Sequence, residues 1–227
     1  MADSKEKVYW VPLESSPEAM NKMIHRIGVD ESVGFSDVLG LDEELLAMTP
    51  QPVYAVVFLF PTTEGYLEAR KKEAESSKPN PHLWYSKQSI GNACGSMAIL
   101  HALGNVQSQV SIGGSLKEFF EKTKEMSPME RTLELEQNKE IAGAHSASAA
   151  EGQTAAPVAD AQVDHHYAAF VCVDGRLYEL DGVMPGPIDL GPSTDLLKDA
   201  AAAIQQRIKA LGDNGALVSV LSLGALP

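Results

Sequence analysis

Apolar positions along the chain fall into two periods, and these set the expected elements. Met20, Met23, Ile24 and Ile27 recur three and four apart, which predicts a helix; Ser15-Ser16-Pro17-Glu18 opens it and Gly28 closes it. Ahead of it, 8–12 is a short extended segment with Trp10 and Leu13 as apolar anchors. The run from Val53 to Phe60 is apolar throughout and rich in β-branched and aromatic residues, as in a central strand buried on both faces. Leu217 to Leu223 reads as a last strand. Between Met97 and Leu103 only His101 is polar, so that segment is expected to be a helix buried nearly all round. Leu196, Leu197, Ala200, Ile204 and Ile208 mark another helix, as do a capped stretch from Asp42 to Met48 and a charged one ending near Ser76. Two amphipathic helices are expected near Leu116 to Lys124 and Ser127 to Asn138, the second opened by a Ser127/Glu130 capping box.

Val163 to Cys172 and Arg176 to Asp181 form a predicted hairpin around an Asp174-Gly175 turn. One stretch, Ala142 to Ala161, has no apolar period and is mostly Ala, Ser and Gly. It is expected to be a weakly structured segment inside a compact domain. Trp84-Tyr85 anchor the approach to Gln88.

Length and composition narrow the class. The chain has 227 residues, 44% hydrophobic and 22% charged, which suits one well-packed domain spanning 1–227. There is no apolar run of membrane-spanning length and no signal-peptide pattern at the start, so a soluble, monomeric protein of the cytoplasm, and of the nucleus as a further compartment, is expected. The net charge of −13 disfavours nucleic acid and anionic membranes and favours a basic partner. Cys94 and Cys172 are expected to be free thiols, Cys172 as a buried structural one.

The candidate chemistry starts at Cys94. In Gln88-Ser-Ile-Gly-Asn-Ala-Cys94-Gly a polar loop feeds the buried helix, with Asn92 as candidate N-cap and Cys94 in the first turn. The positive end of the helix dipole there favours a thiolate nucleophile. Gln88, six residues earlier, is placed to set its side-chain amide beside the Cys94 N–H as an oxyanion hole. A thiolate nucleophile commonly has an oriented histidine as partner. His101 is two helical turns away, about 10 Å, which is too far. His25 and His82 belong to surface segments and His145 to the loose one, leaving His165 and His166. With Asp174-Gly175 at the turn, cross-strand partners have numbers summing to 349, so Asp181 faces Ala168 and shares a face with His166. His165 points to the other face. Adjacent strand histidines diverge and no Cys-x-x-Cys accompanies them, so no metal is expected.

The segment from Gln88 through Cys94-Gly95 to His101-Ala102 resembles the active-site run of the ubiquitin C-terminal hydrolases, a family of papain-like thiol proteases (peptidase C12). So do Trp10-Val-Pro-Leu-Glu14, Gly34-Phe-Ser-Asp37-Val-Leu-Gly40, Glu151-Gly-Gln-Thr154, Val163-Asp-His-His166-Tyr and Leu177-Tyr-Glu-Leu-Asp181-Gly. The resemblance implies an α/β fold (α+β in stricter schemes), papain-like, with a mostly antiparallel central sheet flanked by helices on both sides. It implies a Cys94 acyl-enzyme, with His166 as base, Asp181 as its orienter, Gln88 in the oxyanion hole and no cofactor. The substrate it implies is ubiquitin, or the related Nedd8, bearing a small or unfolded C-terminal extension and recognised through its basic tail. Pro12, Leu13, Asp37, Gly152, Gln153 and Leu217 are the substrate-binding residues it implies, with residues 142–162 as a flexible loop crossing the cleft. Other readings of the residues are a ubiquitin-binding protein with negligible hydrolysis and a thiol hydrolase of another peptide.

Overall fold

Alternation along one strand organises the molecule into three layers. In β2 (Val53–Pro61), Ala55 and Val57 face one core while Val56, Phe58 and Phe60 face another. It therefore lies in the middle of a six-stranded antiparallel sheet, ordered β1-β6-β2-β3-β4-β5. The partners are β1 (Val33–Asp37), β3 (His165–Val173), β4 (Arg176–Leu180), β5 (Ile188–Pro192) and β6 (Ser219–Ala225). The computed structural model describes residues 8–152, 158–161 and 163–226.

On the first face lie α1 (Pro17–Ile27), α4 (Cys94–Asn105), α5 (Gly114–Thr123), α6 (Pro128–Gln137) and α7 (Lys139–Ala150), around Met20, Met23, Met97, Leu100 and Trp84. On the second, α8 (Leu196–Leu211) and α2 (Glu43–Leu46) cover the Phe58, Phe60 and Phe170 side, with α3 (Glu64–Ser76) sending Tyr66 into the same core. The caps anticipated in the sequence are present: Ser16 and Gly28 on α1, Asp42 on α2, and the reciprocal Ser127/Glu130 box on α6. The antiparallel sheet with helices on both sides agrees with the expected architecture.

Some local expectations need correction. Residues 142–150 are not part of a loose segment: they belong to α7, capped by Asn138 and packed on α1. Ile141, Ala144, His145, Ser148 and Ala149 are buried at helical spacing. Alanine combines high helix propensity with small size, so a weakly hydrophobic run becomes a close-packing helix. Of the expected 142–162 segment, residues up to Ala150 are therefore helical. Asn92 is not the cap of α4, because Ala93 occupies that position and no side chain caps it. The edge strands β1 and β5 carried no strand signal; Gly34, Ser36, Asp189 and Gly191 have low β propensity, and pairing to β6 and β4 decides their conformation.

The β3–β4 hairpin has the expected register, with Ala169 opposite Leu180 and Cys172 opposite Leu177. Asp174 (φ 52°) and Gly175 (φ 70°) are both left-handed, as a type I′ turn requires. Cys172 is half-buried in β3, not buried as expected, because it lies beside the turn of the hairpin.

Candidate active site

Two elements meet at the site. Helix α4 begins at Cys94, and Met97 to Leu103 on the same helix are sealed in the core, so the thiol is held at a rigid helix start. The hairpin brings the second half. His166 Nε2 lies 2.6 Å from Asp181 Oδ1, which also accepts from the Val183 N–H at 3.1 Å. His166 is one residue inside β3, opposite Phe60, whose ring it meets edge-on at 5.8 Å. With Nε2 on Asp181, Nδ1 is the ring nitrogen left for Cys94.

The electrostatics favour a charged imidazole. Burial opposes the charge, but the Asp181 carboxylate outweighs burial, and a hydrogen bond to Cys94 adds to it, raising His166 from 6.5 to about 10. Burial likewise opposes ionisation of Asp181, yet the charges of His166 and Arg70 hold it below the usual carboxylate range.

Gln88 lies in the loop before α4 and is tied to the hairpin; it does not line the groove beside Cys94. Its backbone N–H donates to the Gly182 carbonyl at 2.9 Å, tying this loop to the residue after Asp181. Gly182 must lack a side chain here, since a Cβ would stand 2.9 Å from the Gln88 Cβ. The Gln88 amide donates one hydrogen to the Ile90 carbonyl at 3.1 Å, which leaves its second hydrogen for a ligand.

A groove of about 190 Å³ runs beside the thiol, lined by Pro12, Leu13, Glu14, Ser15, Leu59, Asn92, Cys94, Val163, His165 and Tyr167. Pro12 and Leu13 are thus brought to Cys94. Gly152 lies against Glu14, where a Cβ would stand 2.7 Å from the carboxylate. Asp37 and Leu217 lie outside the groove. Asp37 is exposed at the end of β1, opposite Leu221, and Leu217 is exposed just ahead of β6. Ser219 Oγ, 3.0 Å from Ser15 Oγ, links that end of the sheet to the groove. Gln153 falls outside the described residues.

Two of the other histidines are structural. His101 is fully buried, stacked on Tyr85 at 5.1 Å and donating from Nε2 to the Ser86 carbonyl at 3.0 Å. Burial lowers it to about 4, so it is neutral and structural. His145, expected in a loose segment, is buried; it donates to the Val11 carbonyl at 2.7 Å and accepts from Ser96 Oγ at 2.6 Å. It thereby pins the strand ahead of Pro12 to α7. Asn92 (φ 58°) turns its amide away from α4 to donate to the carbonyls of Ala159 and Ala161, at 2.8 and 2.9 Å.

Comparison with known proteins decides what this arrangement belongs to. Residues 10–209 match the family described as "Ubiquitin carboxyl-terminal hydrolase, family 1". The chain belongs to the ubiquitin carboxyl-terminal hydrolase family. It is 43% identical over 201 residues to the ubiquitin carboxyl-terminal hydrolase of Aplysia californica, covering 87% of this chain and 94% of the relative. It is 42% identical over 202 residues to isozyme L1 of Homo sapiens, covering 86% and 89%. Among solved structures, the Trichinella spiralis UCH37 catalytic domain bound to ubiquitin vinyl methyl ester superposes with a TM-score of 0.80 at 28% identity, covering 96% of both chains.

In this ubiquitin C-terminal hydrolase the His166–Asp181 pair makes stability depend on pH. A histidine raised from 6.5 to about 10 contributes stability fully below pH 6.5 and loses it as pH rises through 10. An aspartate lowered from 3.8 contributes above that value and loses it as pH falls. The pair therefore stabilises most between 3.8 and 6.5. Urea unfolding of wild type and His166→Gln should show a stability gap that is largest near pH 5 and shrinks steadily toward about pH 10. A gap that widens with rising pH contradicts this assignment.

Sequence reasoning missed several groove residues of the hydrolase. Leu59 and Tyr167 are cross-strand partners. Tyr167 shares the parity of His165 and donates from its hydroxyl to the Leu13 carbonyl at 3.1 Å. That parity was the available signal. Placing Leu59 there required knowing that β2 pairs with β3.

Proposed function

We propose that this hydrolase cleaves small or unfolded groups from the C-terminal glycine of ubiquitin, and of the related Nedd8, through a Cys94 acyl-enzyme. The reading rests on one observation above all: the hairpin delivers an Asp181-bound His166 to a cysteine held at the start of a buried helix. The thiol proton is held by His166, as the charged imidazole, before the attack. Cys94 Sγ then bonds to the glycine carbonyl carbon, and the oxyanion is held by the Gln88 amide and the Cys94 N–H. As the intermediate collapses, the bond to the leaving amine, alcohol or thiol breaks and His166 returns the proton to it. Water adds to the thioester with His166 as base, releasing the carboxylate and the free thiol.

The substrate tail fits the groove between Leu13, Leu59 and Tyr167, with Asp37 and Glu14 as partners for its basic residues and Leu217 as an apolar contact beyond. Acidic surface supports this, since the net charge is −13. Gly152 lies against Glu14, and Ala159 and Ala161 accept from Asn92, and both Glu14 and Asn92 line the groove; a crossover between those points would select against a folded leaving group. The solved relative carries a ubiquitin vinyl ester, and the same probe tests this chain. Wild type should gain one covalently bound ubiquitin, seen as a single mass increase, and Cys94→Ala none. No adduct with wild type, or an adduct that survives Cys94→Ala, overturns the proposal. Two free thiols support a reducing compartment such as the cytoplasm, and a site assembled from one chain supports a monomer.

A further inference from the structure

Behind Asp181, on the side away from Cys94, lies an ion-pair chain that the reaction scheme does not use. Arg70 of α3 donates from Nη1 to Asp181 Oδ2 at 2.7 Å and from Nη2 to Glu179 Oε1. All three side chains are fully buried. Arg207 of α8 donates from Nε to the other oxygen of Glu179 at 2.9 Å, and its two terminal nitrogens grip the partly exposed Glu73 at 2.9 and 2.6 Å. The Arg70 guanidinium lies over the rings of Phe60 at 4.9 Å and Tyr66 at 5.6 Å, which meet each other edge-on at 5.4 Å. Phe60 is also the ring that meets His166. Three carboxylates and two guanidiniums leave one negative charge, which the His166 imidazolium balances.

Each oxygen of Asp181 has a separate task. Oδ1 serves His166 and the Val183 N–H, and Oδ2 serves Arg70. The Asp181 backbone carbonyl is held by the Tyr85 hydroxyl at 2.9 Å, so the side-chain torsion is the freedom that remains. A buried carboxylate with one oxygen unpaired rotates or takes up a proton, and either event releases the imidazole.

We propose that Arg70, which does not line the groove, is a positioning residue for the hydrolase: it clamps the far oxygen of Asp181 so that the near oxygen stays aimed at His166. Lysine preserves the charge at this place but cannot bridge Glu179 and Asp181 with a planar fork. A helix of charged residues thereby supplies a part of the site that no motif around Cys94, His166 or Asp181 contains. The signal in the sequence is that Arg70 sits four residues from both Tyr66 and Ala74, on the buried stripe of α3.

The inference rests on Asp181 acting through His166, so the test is a double-mutant cycle on a ubiquitin C-terminal amide, with wild type, Arg70→Lys, Asp181→Asn and the double variant, each assayed where circular dichroism shows it folded. Arg70→Lys should lower kcat about tenfold with KM within about twofold, and on the Asp181→Asn background the same change should alter kcat by less than about twofold. If lysine is not accommodated, Arg70→Gln, neutral but able to donate to Asp181, enters the same cycle with the same expected pattern. A kcat loss of equal factor on both backgrounds, or a KM rise with kcat unchanged, shows a merely structural role and overturns the proposal. Asp181→Asn with wild-type kcat instead removes its premise, the orienting role of Asp181; an impaired Asp181→Asn beside an unimpaired Arg70→Lys overturns this inference alone.

Discussion

His166→Ala should lower kcat/KM for a ubiquitin C-terminal amide by at least about 10³-fold, while His165→Ala keeps kcat within about threefold of wild type. The two residues are neighbours on β3, and the pleat of the strand separates their roles. His166 lies on the side of Phe60, where Asp181 Oδ1 is 2.6 Å from its Nε2. His165 faces the groove with Pro12, Leu13 and Tyr167. In the proposed binding mode it lines the path of the substrate tail and takes no part in proton transfer, so its replacement should act on KM by a small factor. Steady-state kinetics on the two single variants read both effects. A reversed order, with His165→Ala the inactive one, requires a hairpin register shifted by one residue and contradicts the pairing of Cys172 with Leu177.

The second large effect is expected at Gln88. Loss of one oxyanion donor costs about 10²–10³ in kcat, so Gln88→Ala should fall in that range with little change in KM. Gln88→Glu places a carboxylate where the oxyanion develops and should be impaired at least as much. The residue is held from three sides: its N–H on Gly182, its amide on Ile90, and the bare Cα of Gly182 against its Cβ. In the proposed role, a donor held this way needs no rearrangement when charge develops. The measurement is single-turnover release of the leaving group. A kcat within threefold of wild type for Gln88→Ala shows that other donors hold the oxyanion.

Much of the site was legible because its geometry is local or nearly so. Cys94 at a helix start follows from a polar loop running into an apolar helix. The choice of His166 over His165 follows from a two-residue turn and the period of two along a strand, and the observed register agrees with it. Where local signals were weak, the reading failed. His145 and the alanines of α7 are buried because α1 lies against them, and nothing in a run of Ala, Ser and Gly encodes that neighbour. Asn92 has the composition of an N-cap, yet its left-handed backbone turns the amide to the carbonyls of Ala159 and Ala161, 67 and 69 residues along the chain.

By itself, then, the sequence determined most of the elements, the antiparallel hairpin and the shared face of His166 and Asp181, since each depends on periodicity or on contacts within one supersecondary unit. Tertiary structure alone decided what surrounds them. Leu59 reaches the groove only through β2–β3 pairing, and Gly152 and Ala159 are brought to the groove residues Glu14 and Asn92. Arg70 meets Asp181 across 111 residues of chain because α3 packs behind the hairpin. A charge on an amphipathic helix reads as solvent-facing until a second buried charge is brought to it, and only the packing of distant elements does that.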